Sequence, residues 1–284
     1  MIPVFFAAAL AVPTPAPAAP AAPASRFATL DGHRIHYESA GDGPRTIVFV
    51  HGWSCDWTVW RRQIPAFAPG ARVLALDLPG HGQSDAPRIG YTLDLFARAV
   101  DAVLRDAGAS RAVLVGHSMG TPVVRQFYRR HPDKTEALVA VDGSFRVLVS
   151  GAEDREKFLA PYRGPEYEER LERFADFMFT PDEKDLADQM KAVMTKTPQH
   201  VLVGAAESML APANFAEDPI RVPLLTVLAR SPFWTRDYEA FVRKLAPQVD
   251  YRVMEGVRHF LMLEKPDEFN AILASFLETL EKRS

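Results

Sequence analysis

The sequence predicts an α/β fold: a mostly parallel central sheet with helices on both faces. Three observations carry that expectation. Apolar runs of strand length recur at residues 46–50 (TIVFV), 72–76 (RVLAL), 111–115 (RAVLV), 137–141 (ALVAV) and 224–229 (LLTVLA). Strands apolar on both sides belong to sheets covered on both faces. Segments with helical spacing of apolar residues separate these runs, and such alternation is the mark of parallel strands joined by helices. At 284 residues and 48% hydrophobic content, the chain also has enough apolar material for a sizeable core.

The first 25 residues differ in kind from the rest. Residues 1–12 (MIPVFFAAALAV) are apolar and uncharged, and residues 13–25 are dominated by proline and alanine. The apolar stretch is too short to span a bilayer. With the small residues Ala9 and Ala11 near its end it resembles the core of a secretory signal, although no Lys or Arg precedes Arg26. The expectation is an export signal followed by a Pro-Ala tether over residues 1–25, hence a secreted or periplasmic protein. The competing reading is a disordered tail on a cytoplasmic one.

The folded part is expected from about Phe27. Residues 27–30 and 34–39 flank Asp31-Gly32, a dipeptide suited to a tight hairpin. A helix over residues 91–107 sets Phe96, Val100, Val103 and Leu104 on one face. Another over residues 266–282 does the same with Phe269, Ile272, Leu273, Phe276 and Leu277, behind a proline suited to the first turn. Between Phe145 and Pro219 the alternation breaks. Charged, aromatic-rich helical stretches at residues 153–162, 166–179 and 182–194 are punctuated by prolines 161, 165, 181, 198, 212 and 219. The expected organisation is therefore a core of residues 26–144 and 220–284 with a helical cap, or lid, of residues 145–219.

Composition narrows the function classes. Net charge is −3 with no basic stripe, which argues against nucleic acid as a partner. The single cysteine, Cys55, allows neither an internal disulfide framework nor a cysteine metal cluster, and is expected to be a small loop residue. Nothing after residue 25 reads as a membrane span.

The chemistry is concentrated at Gly116-His117-Ser118-Met119-Gly120, directly after the apolar run 112–115 and before an expected helix near Met119. A serine on a sharp strand-to-helix turn is held with its hydroxyl exposed at the top of the sheet. Side chains two residues before and after it would collide with the turn and the next strand, which is why glycines stand there. This is the pattern of a nucleophile elbow, with Ser118 as the nucleophile. A serine hydroxyl reacts poorly unaided and needs a base within hydrogen-bond reach.

With that motif, His51-Gly52-Trp53, the run Asp77-Leu78-Pro79-Gly80-His81-Gly82-Gln83-Ser84 and Gly256-Val257-Arg258-His259-Phe260 complete a set whose order and spacing are specific. The chain resembles the α/β-hydrolase fold superfamily over nearly all of residues 27–284 except the cap. The resemblance implies His259 as the base, in a loop after the strand-like residues 251–254. It implies backbone N–H groups of Trp53 and Met119 as the donors that bind a developing oxyanion. His33, His36, His131 and His200 are expected to be structural or surface residues, His51 and His81 to shape their loops, and His117 to pack rather than react.

The acid that orients the histidine is open between two positions. Many members carry it after the strand matching residues 224–229, but that loop, Arg230-Ser231-Pro232-Phe233-Trp234, lacks a carboxylate until Asp237. The other known location follows the strand after the nucleophile's helix, where Asp142 stands in Val141-Asp142-Gly143. Asp142 is the first choice and Asp237 the second. The cap residues Phe174, Phe177, Met178, Phe179, Met190 and Met194 are expected mainly as core. A methionine-lined cover nevertheless suits apolar acyl groups.

The expected activity is a serine hydrolase of the carboxylesterase or lipase kind, cleaving apolar esters or lactones through an acyl-enzyme, without metal or cofactor. A serine at the elbow argues against haloalkane dehalogenases and epoxide hydrolases of this superfamily, which place an aspartate there. The competing readings are a cofactor-independent dioxygenase of the same fold and a non-catalytic ligand-binding member.

Overall fold

Eight strands form a single sheet in the computed structural model, which describes residues 22–149 and 151–282. They are β1 (Ala24–Leu30), β2 (His33–Ala40), β3 (Arg45–Val50), β4 (Ala71–Leu76), β5 (Ala112–His117), β6 (Thr135–Val141), β7 (Leu224–Ala229) and β8 (Asp250–Met254). In space they run β1-β2-β4-β3-β5-β6-β7-β8. The first two are antiparallel to their neighbours, and every pairing from β4 to β8 is parallel. The apolar runs account for this arrangement. Ile47, Val48, Phe49 and Val50 in β3, and Val113, Leu114 and Val115 in β5, are wholly buried, as strands covered on both faces must be. Apart from β1, the expected strands agree with the observed ones to within a residue or two.

The hairpin forms at Asp31-Gly32, where both residues adopt positive φ (51° and 84°). Two such residues make the tight turn whose twist matches paired strands. One expectation is corrected here. Ala24 and Ser25, assigned above to the tether, pair with Ser39 and Glu38 in β1. The far end of β2 offers them hydrogen-bonding edge, and Ser25 Oγ reaches His36 Nε2 at 2.7 Å. The proposed leader and the Pro-Ala stretch up to residue 21 lie outside the described residues.

Among the described residues ten α-helices accompany the sheet: α1 (Ile64–Phe67), α2 (Leu93–Asp106), α3 (Gly120–Arg130), α4 (Ala152–Arg163), α5 (Tyr167–Phe177), α6 (Lys184–Met194), α7 (Gln199–Met209), α8 (Arg236–Leu245), α9 (Leu261–Glu264) and α10 (Pro266–Glu281), with short 3-10 turns at Trp57–Trp60 and Pro212–Asn214. Thr92 caps α2 by accepting from the Leu95 N–H at 3.0 Å, and Thr235 caps α8 in the same way from Tyr238. Helices α4 to α7 lie between β6 and β7, so the break in alternation is a helical insertion. The short α7 was not expected from the sequence. It is apolar on most sides and contains Gly204, so it lacks the amphipathic period that reveals a helix. Among the described residues no helix is long and apolar enough to cross a membrane.

Candidate active site

The candidate site lies at the carboxyl ends of β3, β5, β6, β7 and β8. Strand β5 ends at His117, and α3 begins at Gly120. Ser118 turns the corner with φ of 53°, a left-handed conformation that a side chain rarely adopts. The flanking glycines are a steric requirement. A Cβ at Gly116 would collide with the Gly120 carbonyl, and one at Gly120 would collide with the Val50 carbonyl of β3. The Ser118 N–H is tied to the Val141 carbonyl at 2.9 Å, which locks the turn against β6.

Asp142 follows β6 directly, also with positive φ (41°), and its N–H donates to Val227 O of β7 at 2.9 Å. Its carboxylate Oδ2 accepts a hydrogen bond from His259 Nδ1 at 2.7 Å. A carboxylate offers only acceptors, so the Nδ1 proton is held there and Nε2 keeps its lone pair. The other oxygen, Oδ1, accepts from the Ala229 N–H at 2.9 Å and from the Trp234 indole N–H at 2.8 Å. Nothing in the sequence singles out Trp234 for this contact. It stands in the loop after β7, and its indole N–H reaches a carboxylate at the end of β6. Asp237, the second candidate acid, sits exposed in the first turn of α8 and makes no contact with His259.

Ser118 and His259 line one small cavity of about 40 Å³, together with Gly52, Trp53, Cys55 and His117. No hydrogen bond engages Ser118 Oγ among the described residues. The same holds for the backbone N–H groups of Trp53, which lines this space, and of Met119, the residue after Ser118. The helical segment between β6 and β7 contributes Phe174, Met178, Met194 and Met209 to its lining. Of the six cap residues singled out in the sequence, Phe174, Met178 and Met194 therefore face the cavity. Phe179 and Met190 are buried, Phe179 stacking face to face on Phe260 at 4.7 Å, and Phe177 is exposed. Met209 belongs to the unanticipated α7.

Trp53 joins the two layers. Its indole N–H donates to Leu202 O of α7 at 2.8 Å, and Tyr162 and Phe174 meet its ring edge-on at 4.9 and 5.6 Å. The histidine loop is pinned from both sides. His259 N–H donates to Met178 O of the cap at 3.1 Å, and His259 O accepts from His117 Nε2 at 2.9 Å. His117 is wholly buried, and burial together with the neighbouring His259 holds its pKa well below the usual value. It is a neutral packing residue, as expected. His51 accepts from the Leu78 N–H at 2.9 Å and donates from Nδ1 to Gly52 O at 2.7 Å, tying the β3 loop to the β4 loop. Burial lowers the pKa of His51, and lowers that of His81 to about 3 with help from His51. Burial pushes the Cys55 thiol up, so it lines the cavity as an inert neutral group. Among the described residues no group of three or more His, Cys, Asp or Glu side chains is arranged to hold a metal ion.

A model of the alpha/beta hydrolase family matches residues 47–272, from within β3 through every later strand. The chain belongs to that family. This alpha/beta hydrolase is 30% identical over 271 residues to the dihydrolipoyllysine-residue acetyltransferase component of the acetoin cleaving system of Cupriavidus necator, covering 90% of the present chain and 70% of that protein. It is 24% identical over 277 residues to epoxide hydrolase 3 of Mus musculus, covering 88% and 75%. Among solved structures it superimposes on Est816, described as an N-acyl homoserine lactone degrading enzyme, with a TM-score of 0.75 and 26% identity over 88% of this chain and all of that one. The esterase EaEST from Exiguobacterium antarcticum shares the fold at a TM-score of 0.80 and 18% identity, over 89% and 98%.

Proposed function

We propose that this hydrolase cleaves esters or lactones of small apolar acids through an acyl-enzyme on Ser118. The observation that carries the reading is the 2.7 Å bond from His259 Nδ1 to Asp142, which leaves Nε2 as the free base in the cavity that Ser118 also lines. In this reading Ser118 Oγ attacks the carbonyl carbon while His259 Nε2 takes its proton. The oxyanion is received by the unengaged N–H groups of Trp53 and Met119, donors of a kind worth about 3 kcal/mol each at the transition state. Collapse of the adduct expels the alcohol, which leaves with the proton from His259. Water then enters, gives a proton to the same nitrogen, and releases the acid and Ser118. Asp142 stabilises the imidazolium formed in both halves without taking the proton itself.

The apolar cap residues favour an acyl or aryl group without charge. A cavity of about 40 Å³ holds little more than a water or two, so the helical insertion acts as a lid that moves when substrate enters. The likeness to Est816 puts lactones on the substrate panel beside esters. Turnover of p-nitrophenyl acetate, butyrate and hexanoate and of short acyl lactones tests the reading. We expect hydrolysis of at least one, abolished in Ser118→Ala and His259→Ala. Folded protein inert towards all of them contradicts it. Export is part of the proposal too: N-terminal sequencing of the mature protein should find residues near Met1 removed, and an intact Met1 contradicts it.

A further inference from the structure

Away from the cavity, at the β1 edge of the sheet, β1, β2 and the loop after β4 bring together Ser25, His36 and Asp77. Ser25 pairs with Glu38 across the hairpin, and His36 lies two residues further along β2, the diagonal neighbour on the same face. Ser25 Oγ is 2.7 Å from His36 Nε2, and His36 Nδ1 is 2.7 Å from Asp77 Oδ2. His36 and Asp77 are wholly buried, whereas Ser25 is exposed on the edge strand.

The network fixes which nitrogen carries the proton. Asp77 is a pure acceptor: Oδ1 takes the Trp57 N–H at 2.8 Å, and Oδ2 takes the Gln83 N–H at 2.9 Å as well as His36 Nδ1–H. His36 therefore presents its Nε2 lone pair outward, and both the Ser25 hydroxyl and the Gln83 side-chain amide, at 3.2 Å, donate to it. Glu38 Oε1 stands 3.5 Å from the same nitrogen, where it would stabilise a protonated ring. A hydroxyl within hydrogen-bond reach of a base, itself oriented by a buried carboxylate, is the arrangement that activates a serine. Phe27, packed on the His36 ring at 5.2 Å and half-exposed, adds apolar surface beside the hydroxyl.

We propose that Ser25 is a second nucleophile, a surface site that accepts acyl groups from small activated esters. In the step, the Ser25 O–H proton passes to His36 Nε2, Oγ bonds to the acyl carbon, and the bond to the leaving aryloxide breaks. The aryloxide departs as the anion or with the proton from His36, leaving an O-acyl serine on β1. The site is independent of Ser118, so it is tested in a chain from which Ser118 has been removed.

Full-length Ser118→Ala protein is incubated with p-nitrophenyl acetate and mapped by peptide mass spectrometry. Ser25 should be acetylated about a hundredfold faster than exposed Ser110 in the same molecule, the gain a positioned base gives. The label should be lost in the S118A/S25A double variant. Acetylation of Ser25 no faster than of Ser110 overturns the proposal. His36→Gln in the Ser118→Ala background separates activation from accessibility. With circular dichroism showing a folded chain, the Ser25 rate should fall to that of Ser110, and an unchanged rate overturns the proposal equally.

Discussion

The Trp234 indole N–H and the Asp142 carboxylate are joined at 2.8 Å, on the oxygen opposite the one that holds His259. The carboxylate is thus gripped at both ends, and its orientation towards the imidazole depends on a side chain from the loop after β7. A hydrogen bond to a charged group contributes about 1.5–3 kcal/mol. Trp234→Phe keeps the ring and removes only the donor, leaving the Ala229 N–H in place. We expect kcat/KM to fall about tenfold with the melting temperature little changed. An unaltered kcat/KM would show that Ala229 alone holds the acid.

Asp142 and Asp237 are separated by their surroundings, one bonded to His259 and the other exposed on α8. Asp142→Asn presents an amide where a carboxylate is needed, permits the wrong tautomer, and should lower kcat by about three to four orders of magnitude. Asp237→Asn should leave kcat within about twofold, as surface changes away from a site do. Ester turnover measured in both variants decides between them.

The narrow cavity predicts a change in chain-length preference. Phe174→Ala removes a ring that lines it. Hexanoate should gain on acetate by about tenfold in kcat/KM, since each methylene accommodated in an apolar pocket is worth about 1 kcal/mol or more. An unchanged ratio would place the acyl group elsewhere.

Three buried histidines predict how stability falls in acid. His51, His81 and His117 have pKa values lowered in the folded chain, His81 to about 3. Unfolded, each would protonate near the ordinary value of about 6.5. Above that pH both states are neutral there and stability is unaffected. As pH falls below it, only the unfolded chain gains protons, so stability is lost progressively down to the folded pKa. Each histidine contributes up to about 1.4 kcal/mol per pH unit. Urea denaturation between pH 7.5 and 5 should therefore show a declining midpoint, less steep in His81→Gln. A flat profile over that range contradicts these directions.

Much of this was legible in the sequence, for reasons that differ by element. Strands β3 to β7 announced themselves as apolar runs because both of their faces are covered. The elbow was readable because Gly116 and Gly120 are demanded by backbone contacts rather than by side chains that could vary. The proximity of Asp142 to His259, 117 positions apart, came from the family resemblance and not from any local pattern. Trp234 escaped because a tryptophan in a loop carries no signal of what its N–H will meet. Helix α8, by contrast, does carry a local signal in the sequence, Thr235 before the spacing Tyr238, Val242, Leu245. Ser25 was hidden by composition: it ends a Pro-Ala stretch, yet the hairpin register draws it into the sheet.

The central claim is that Ser118 is an activated nucleophile, and a fluorophosphonate probe with peptide mapping tests it most directly. The folded native protein should be labelled on the peptide carrying Ser118, and that label should vanish in Ser118→Ala. A folded native protein unlabelled at Ser118 would contradict the account.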